Sequence, residues 1–135
     1  MTAAEVVRTR LLSLSAVTAL VGQRVRTMVL AQNETLPAIR VQRISETEAM
    51  HLRGSGGIQV ARVQVDSYAA SFAAARTLDA AVHGDGAGSG LCGFTGAVGT
   101  ATVHAILPMN VQDAYEKDER EYYRVIREYE VHFTT

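Results

Sequence analysis

Apolar residues recur at helical spacing at the start of the chain. Val7 and Leu11 lie four residues apart on one face, and charged side chains cover much of the remaining surface. Thr2 and Glu5 have the three-residue spacing of a capping box, in which each side chain accepts a hydrogen bond from the other residue's backbone N–H. The pattern therefore predicts an amphipathic helix over residues 3–14.

Two further stretches have helical periodicity. Residues 16–21 predict a short second helical segment, and Gly22 stands where a helix-terminating glycine is expected. Residues 71–83 predict a longer helix, because apolar side chains recur every three or four positions and alanines permit close packing on a sheet. Ser71 is the expected N-cap of that helix.

Elsewhere polar and apolar residues alternate with a period of two, which is typical of half-buried strands. Residues 58–68 give the clearest case, with Ala61, Val63 and Val65 on one face. The next strand places Ala101, Val103, Ala105 and Leu107 together, and the last places Tyr123, Val125, Arg127, Tyr129, Val131 and Phe133 together. The predicted strands are 25–30, 38–44, 58–68, 100–109 and 121–133.

The order of helix, strands, helix and strands is typical of an α+β fold. We predict a mixed, mostly antiparallel sheet of four to five strands with two helices packed on one face. The chain of 135 residues has the usual size of one domain, and no repeat or boundary divides it. Residues 1–135 are therefore expected to form a single domain.

Three segments lack this periodicity. Residues 46–57 and 84–99 are predicted to be exposed loops, and the second is rich in glycine. Residues 110–119 are predicted to be a polar loop or a bulge. Long connections are uncommon in compact domains and often work at interfaces, so the first two segments are candidates for inter-subunit or axial contacts.

Charge and composition narrow the class of protein. A net charge of −1 lacks the basic footprint of a dedicated nucleic-acid-binding protein. A single cysteine, Cys92, excludes an internal disulfide framework and a multi-cysteine zinc site. Charged residues interrupt the N-terminal segment, so no secretion signal is predicted. No uncharged stretch is apolar enough to span a bilayer, and we expect a soluble cytoplasmic protein.

Candidate chemistry is sparse. The segment Gly88–Gly93 fits a GxGxxG pattern, but it follows a predicted helix and precedes a strand, the reverse of a dinucleotide-binding site. The histidines have no metal-ligand spacing with one another or with Cys92, which we expect to fill apolar space. We therefore predict no catalytic residue, no cofactor and no metal. The histidines are His51, His83, His104 and His132.

The mixed-charge run Glu116–Glu121 has two interpretations. Paired carboxylates can perform acid–base catalysis. Alternating signs are more typical of a solvated turn, or of a rim that pairs with a neighbouring chain. We favour the structural interpretation of this run.

Several stretches, taken in order, resemble the tail-terminator or tail-completion proteins of long-tailed phages and gene transfer agents. A helix from Leu11 leads into Leu-Val-Gly-Gln-Arg-Val at 20–25, and Leu-Pro-Ala-Ile-Arg-Val-Gln-Arg-Ile-Ser follows at 36–45. The third stretch, Ala-Arg-Val-Gln-Val-Asp-Ser-Tyr-Ala at 61–69, runs into Ser-Phe-Ala-Ala-Ala-Arg-Thr-Leu at 71–78. A final strand with Tyr122, Tyr123, Arg124 and Phe133 also fits. The likeness spans nearly the entire chain and depends on the order of its motifs.

The resemblance implies a structural protein without an active site. Such proteins form a hexameric ring at the head-proximal end of the tail tube, stop tube polymerisation and present a surface to the head connector. The implied partners are other copies of the chain, the tail tube protein and the head–tail connector or adaptor protein. DNA passes through the ring without specific binding, and no membrane is involved. The expected location is the cytoplasm during assembly and then the head–tail junction of the particle.

Two alternatives stay open at this point. One is a head-side adaptor or head completion protein of the same general shape. The other is a small dimeric enzyme of ferredoxin-like type, which predicts a compact apolar pocket with converging polar groups. We expect Arg24, Arg40, Arg43, Arg53 and Arg62 to pair with acidic residues of a neighbouring copy. The candidate inter-subunit or axial contacts are Glu46, Glu48, His51, Arg53, Arg62, Glu116, Asp118 and Arg120.

Overall fold

A computed structural model describes residues 1–31, 33–51, 54–117 and 120–135. Within these residues the chain forms three helices and six strands. The helices are α1 (Ala3–Leu12), α2 (Ser15–Val21) and α3 (Phe72–His83). The strands are β1 (Val25–Thr27), β2 (Ala38–His51), β3 (Gly54–Ala69), β4 (Gly96–Val98), β5 (Ala101–Lys117) and β6 (Glu121–Thr134).

The N-terminal helix forms as its pattern predicts. The Thr2 side chain accepts a hydrogen bond from the Glu5 backbone N–H, and the Glu5 carboxylate accepts one from the Thr2 N–H, so the capping box is confirmed. The helix ends at Leu12, and the chain then restarts as a separate second helix. The described residues therefore hold three helices rather than the two predicted on the sheet.

The sheet is mixed and mostly antiparallel, as predicted. Its strand order is β1-β2-β3-β6-β5-β4, with β1 parallel to β2 and every other neighbouring pair antiparallel. The described chain has six strands instead of four to five, because β4, which contains three residues, lies within the segment 84–99 that was predicted to be a loop; the predicted strand 25–30 is shortened to the three residues of β1. A segment that short is too brief to establish a period of two.

The prediction of a loop over residues 46–57 is wrong. Strands β2 and β3 continue into a long hairpin, with the last pairs at Met50↔Ser55 and His51↔Gly54. The outermost β3–β6 pair is Gln59↔Phe133, so the hairpin projects beyond the end of β6. The described side chains of Thr47, Glu48 and Ile58 on this arm are exposed, so no buried face imposes a period of two there, while backbone hydrogen bonds still pair its strands.

The predicted end and the predicted face of the fifth strand also need correction. Strand β5 does not become a loop at residue 110 but runs to Lys117, with register shifts between Val103 and Ala105 and between Pro108 and Val111. The first shift reverses the faces of the strand. As a result Ile106 is buried in the core and Leu107 is exposed.

The core lies between the helices and one face of the sheet. Tyr129, Phe133 and Ile39 are among the largest fully buried side chains, and the buried residues of α1, α2 and α3 pack against them. Cys92 is buried within this same cluster, as the sequence predicts. No helix in the described ranges is long and apolar enough to cross a membrane.

The glycine-rich segment 84–99 is a folded turn rather than a simple loop. The Leu91 N–H donates to the Val82 carbonyl, and the Arg10 guanidinium donates to the Gly88 and Gly90 carbonyls while lying 3.7 Å from the Phe94 ring centroid. A Cβ at Gly90 would lie 2.6 Å from the Val82 carbonyl oxygen, so the close backbone approach requires glycine there. The segment thus fastens the end of α3 to α1.

Candidate interaction surfaces

One face of the sheet carries the three helices, and the opposite face carries charged side chains joined in ion pairs. A row of these pairs crosses four strands, from Arg40 on β2 through Asp66 on β3 and Arg124 on β6 to Glu116 on β5. Arg40 Nη2 lies 2.7 Å from Asp66 Oδ2, Arg124 Nη1 lies 3.5 Å from that same oxygen, and Arg124 Nη2 lies 2.8 Å from Glu116 Oε1. We call this row the four-strand ion-pair row.

The other members of this row and their neighbours raise the pKa of Arg124. Asp66 is fully buried, and Arg40 and Gln64 each donate two hydrogen bonds to its carboxylate. Burial alone would lower the pKa of Arg124, but its hydrogen bond with Tyr68 and the nearby carboxylates leave that pKa above its ordinary value. The row is therefore internally compensated at neutral pH.

Tyr122 adds a further bond to the same row. Its hydroxyl donates a hydrogen bond to the Glu116 carboxylate, and this bond, with burial, raises the pKa of Tyr122 to about 12. The phenol therefore stays protonated across the physiological range. Glu116 thus receives bonds from both Tyr122 and Arg124 and is fixed at the base of the β5–β6 hairpin tip.

The predicted contact residues whose side chains the structure describes lie in separate parts of the sheet. Arg62 pairs with Glu128 on the neighbouring strand, with Arg62 Nη2 2.7 Å from Glu128 Oε2, while Glu46 pairs with Arg43 three residues earlier. Glu48 is exposed on β2, and Arg120 is half-buried beside the β5–β6 tip. The side chain of His51, together with Arg53 and Asp118, lies outside the described residues.

The predicted pairing of arginines with a neighbouring copy is partly replaced by pairing within the chain. Arg40, Arg43 and Arg62 each bond a carboxylate of their own chain, as described above. Arg24 donates instead to the backbone carbonyls of Pro37 and Leu20. The pattern along the sequence missed these partners because they lie on neighbouring strands or within a turn, where spacing along the chain gives no signal.

A groove of about 360 Å³ opens on the helix-covered face, between α3 and β5. Phe72 and His83 line the α3 side, Val111 lines the β5 side, and Arg127 and Val125 form the floor. The Arg127 guanidinium donates two hydrogen bonds to Asp79 of α3, and these bonds raise the pKa of Arg127 above its ordinary value. This α3–β5 groove was not predicted, because its walls come from segments that are distant along the chain.

His83 forms a second link between α3 and the sheet. Its Nδ1 atom lies 3.0 Å from the Tyr129 hydroxyl, and the two rings are stacked. Burial lowers the pKa of His83, and the positive charge of Arg127 lowers it further, although Asp79 acts in the opposite direction. Burial also raises the pKa of Tyr129. The neutral imidazole is thus the form that fits this position at pH 7.

Exposed apolar side chains lie at both outer edges of the sheet. Met28 and Val29, directly after β1, are 59% and 72% exposed. On the opposite edge β5 exposes Leu107, Met109, Val111 and Tyr115. An edge strand with apolar side chains is a template for pairing with another chain unless it is protected.

The described residues contain no group of three His, Cys, Asp or Glu side chains that could hold a metal ion. The GxGxxG segment is occupied by its own contacts, because Arg10 fills the space beside the Gly88 and Gly90 carbonyls. A bound phosphate would meet carbonyl oxygens there, which repel it. The surface features that the described residues do show are the four-strand ion-pair row, the α3–β5 groove and the exposed apolar sheet edges.

Comparisons with known proteins point in the same direction. A chain in the solved structure of a virion of a native gene transfer agent particle has the same fold, with a TM-score of 0.62 and 20% sequence identity. That similarity covers 96% of this chain and 92% of the other. No curated protein matches the sequence. The family model described as tail completion protein gp17 matches residues 5–131. Because that match spans nearly the entire chain, the protein belongs to the tail completion protein gp17 family and is a structural component of a phage-type tail.

Proposed function

We propose that the chain assembles into a hexameric ring that caps the tail tube, ends its polymerisation and joins the tail to the head connector. The role is structural and involves no catalysis. The observation that carries the proposal is the pair of open strand edges on opposite sides of the sheet. A head-to-tail ring requires two different, complementary surfaces on every copy.

Both outer long strands are only partly covered. Strand β1 pairs with Ile39–Val41 alone, and β4 pairs with residues 101–103 alone. Beyond those pairs, β2 from Gln42 and β5 from His104 have no second partner strand in the described part of the chain. Their backbone N–H and C=O groups are available to a neighbouring strand.

The strand directions favour pairing between copies. Strand β5 is antiparallel to β6, β6 to β3, and β3 to β2, so β5 is also antiparallel to β2. A second copy placed with its β2 beside β5 therefore continues the antiparallel ladder. Repetition of that contact closes the sheets into a barrel without free long edges, with the helices on the outside.

In this arrangement the helix-free face lines the channel. Its arginines are paired with carboxylates of the same face, as in the four-strand ion-pair row and the Arg62–Glu128 pair. Paired charges leave few free cations to hold DNA phosphates. A compensated channel wall thus suits a conduit through which DNA passes without specific binding.

The two hairpin tips lie at opposite ends of the sheet. The β2–β3 tip projects past the Gln59↔Phe133 pair, and the β5–β6 tip lies beyond the Ala69↔Tyr123 pair at the other end. We assign one tip to the tail tube and the other to the connector. Of the predicted contacts in the described part of the chain, Glu46, Glu48 and His51 belong to the first tip, and Glu116 and Arg120 belong to the second; Arg62 belongs to the channel wall.

The fold shared with a chain of a gene transfer agent virion supports a place in such a particle. We assign the ring to the head–tail junction, after assembly in the cytoplasm. A capping assay tests this function. Purified tail tubes of the particle are mixed with the protein and imaged by electron microscopy, and density at one tube end with arrest of further growth is expected. Binding to purified connector without binding to tubes would instead identify a head-side adaptor.

A further inference from the structure

The two exposed apolar patches on the sheet edges lie at the same level of the sheet. Thr27 of β1 is in register with Val41, Val41 with Val65, Val65 with Arg127, and Arg127 with Val111 of β5. Met28 follows Thr27 and donates its backbone N–H to the Val41 carbonyl. Thr27 on one edge therefore lies level with Val111 on the other, and Met28 lies one residue beyond that level; Val111 forms the wall of the α3–β5 groove.

We propose that Met28 and Val29 of each copy insert into the α3–β5 groove of the next copy, an inference that rests on the proposed ring. The occupant of the groove is thus a second copy of this chain. Met28 and Val29 are apolar side chains that the fold of a single chain leaves exposed to solvent. Phe72 and Val111 are exposed apolar side chains that line the groove. Burial of both patches together removes apolar surface from water on each side of the junction.

The backbone at Met28 is consistent with a built projection. Met28 has a φ of 71°, which lies in the left-handed region that residues other than glycine rarely adopt. This turn places Met28 and Val29 at the end of β1, and backbone strain of this kind is concentrated at functional positions. The Met28 carbonyl also accepts a bond from Arg40, which links the projection to the four-strand ion-pair row.

Charge complementarity supports the same neighbour. The Arg24 guanidinium bonds only backbone carbonyls among the contacts described, so its charge is not matched by a carboxylate. Asp113 lines the groove and is exposed, without an ion pair in the described part of the chain. Val25, the residue after Arg24, is in register with Ile39, Ile39 with Ser67, Ser67 with Val125, and Val125 with Asp113. Side-by-side copies thus bring Arg24 of one within one residue of the level of Asp113 of the next.

Disulfide trapping tests the contact directly. In a Cys92→Ala background, M28C and V111C are combined in one chain and oxidised. Four strand spacings separate the two positions within a chain, about 19 Å in total, so an intramolecular disulfide is excluded. The double variant is expected to give a covalent ladder that ends at the ring, whereas each single variant gives at most dimers.

A second measurement does not depend on cysteine chemistry. Met28→Gly removes the side chain while tolerating the positive φ, and it is expected to raise the concentration at which the ring dissociates by about tenfold or more. Ile58→Ser is the matched control for ring assembly in solution, because Ile58 is also exposed but lies on the projecting part of β3, away from Met28 and from the groove. Assembly is measured in solution or, for a chain that is monomeric alone, on purified tail tubes.

The outcomes separate the two proposals. Rings that form without a covalent ladder, and that tolerate Met28→Gly as well as Ile58→Ser, overturn the groove contact and leave the ring intact. Absence of any ring, in solution and on tubes, overturns the proposed function and the contact together. A ladder with a weakened Met28→Gly ring supports both.

Discussion

Arg127 of β6 and Asp79 of α3 form a two-pronged ion pair that fastens the third helix to the sheet. Arg127 Nε lies 3.0 Å from Asp79 Oδ1, and Arg127 Nη2 lies 2.9 Å from Asp79 Oδ2. Asp79 is buried, and the pair forms part of the α3–β5 groove. The position of α3, and hence the width of the groove, depends on this contact.

Asp79→Ala is expected to destabilise the fold by roughly 2–3 kcal/mol, because it leaves the Arg127 guanidinium without its partner in a partly buried position. Glu128→Ala is the matched control, since it breaks the more exposed pair with Arg62 and is expected to cost less than about 1 kcal/mol. Urea unfolding of the two variants measures the difference. Equal losses of stability would contradict the assigned role of the Asp79 pair.

Stability is expected to fall as pH drops below about 6.5, and His83 is expected to contribute to the fall. The folded state lowers the pKa of His83, so the unfolded chain binds the proton first as the solution is acidified. The contribution of His83 is therefore complete above its ordinary pKa and is lost toward the lower pKa of the fold. Melting temperatures between pH 8 and pH 5 should decline less steeply in His83→Gln. The same slope in both proteins would rule out this role.

Gly90→Ala is expected to cost roughly 1–3 kcal/mol through overpacking. The added Cβ would lie 2.6 Å from both the Gly84 nitrogen and the Val82 carbonyl oxygen, and these backbone atoms have little freedom to move. Gly86→Ala provides a comparison, because its Cβ meets nothing within 4 Å and only the positive φ is penalised. Thermal unfolding distinguishes the two. A Gly90 variant as stable as wild type would show that the turn packs differently.

Reversal of charge at Glu128 and Glu130 is expected to reduce DNA delivery. Both residues lie on the helix-free face that lines the proposed channel, so Glu128→Lys with Glu130→Lys places cations where they would retain DNA phosphates. The double variant Glu128→Gln with Glu130→Gln adds no lysine and should reduce delivery less. Particles with the lysine variant that assemble fully and deliver DNA at the normal rate would argue against a channel whose neutrality matters.

The fold could be predicted where burial imposes a period. The capping box at Thr2, the cap at Ser71 and the alternation along β6 all produced the expected elements, because one face of each is pressed against the core. The period is absent from the β2–β3 hairpin, whose described side chains at Thr47, Glu48 and Ile58 are exposed, and the sequence therefore predicted a loop there. It also fails at the β5 bulge, where one extra residue exchanges the two faces of the strand.

The candidate surfaces were less accessible from sequence. Arg40 and Arg62 pair with carboxylates 26 and 66 residues further along the chain, and no rule of sequence spacing predicts pairs at such separations. The α3–β5 groove is likewise a product of topology. The resemblance to tail-completion proteins identified the family, because it used the order of motifs along the chain and required no contacts between them.

The mass of the purified protein in solution tests the central claim most directly. Light scattering on a sizing column, followed by electron microscopy, is expected to give a mass near six times the 14.5 kDa chain and images of rings. If the protein is a monomer in solution, electron microscopy is repeated with purified tail tubes, and rings are expected at one end of each tube. A stable dimer, with no ring in solution or on tubes, would contradict the account and revive the dimeric enzyme as the alternative.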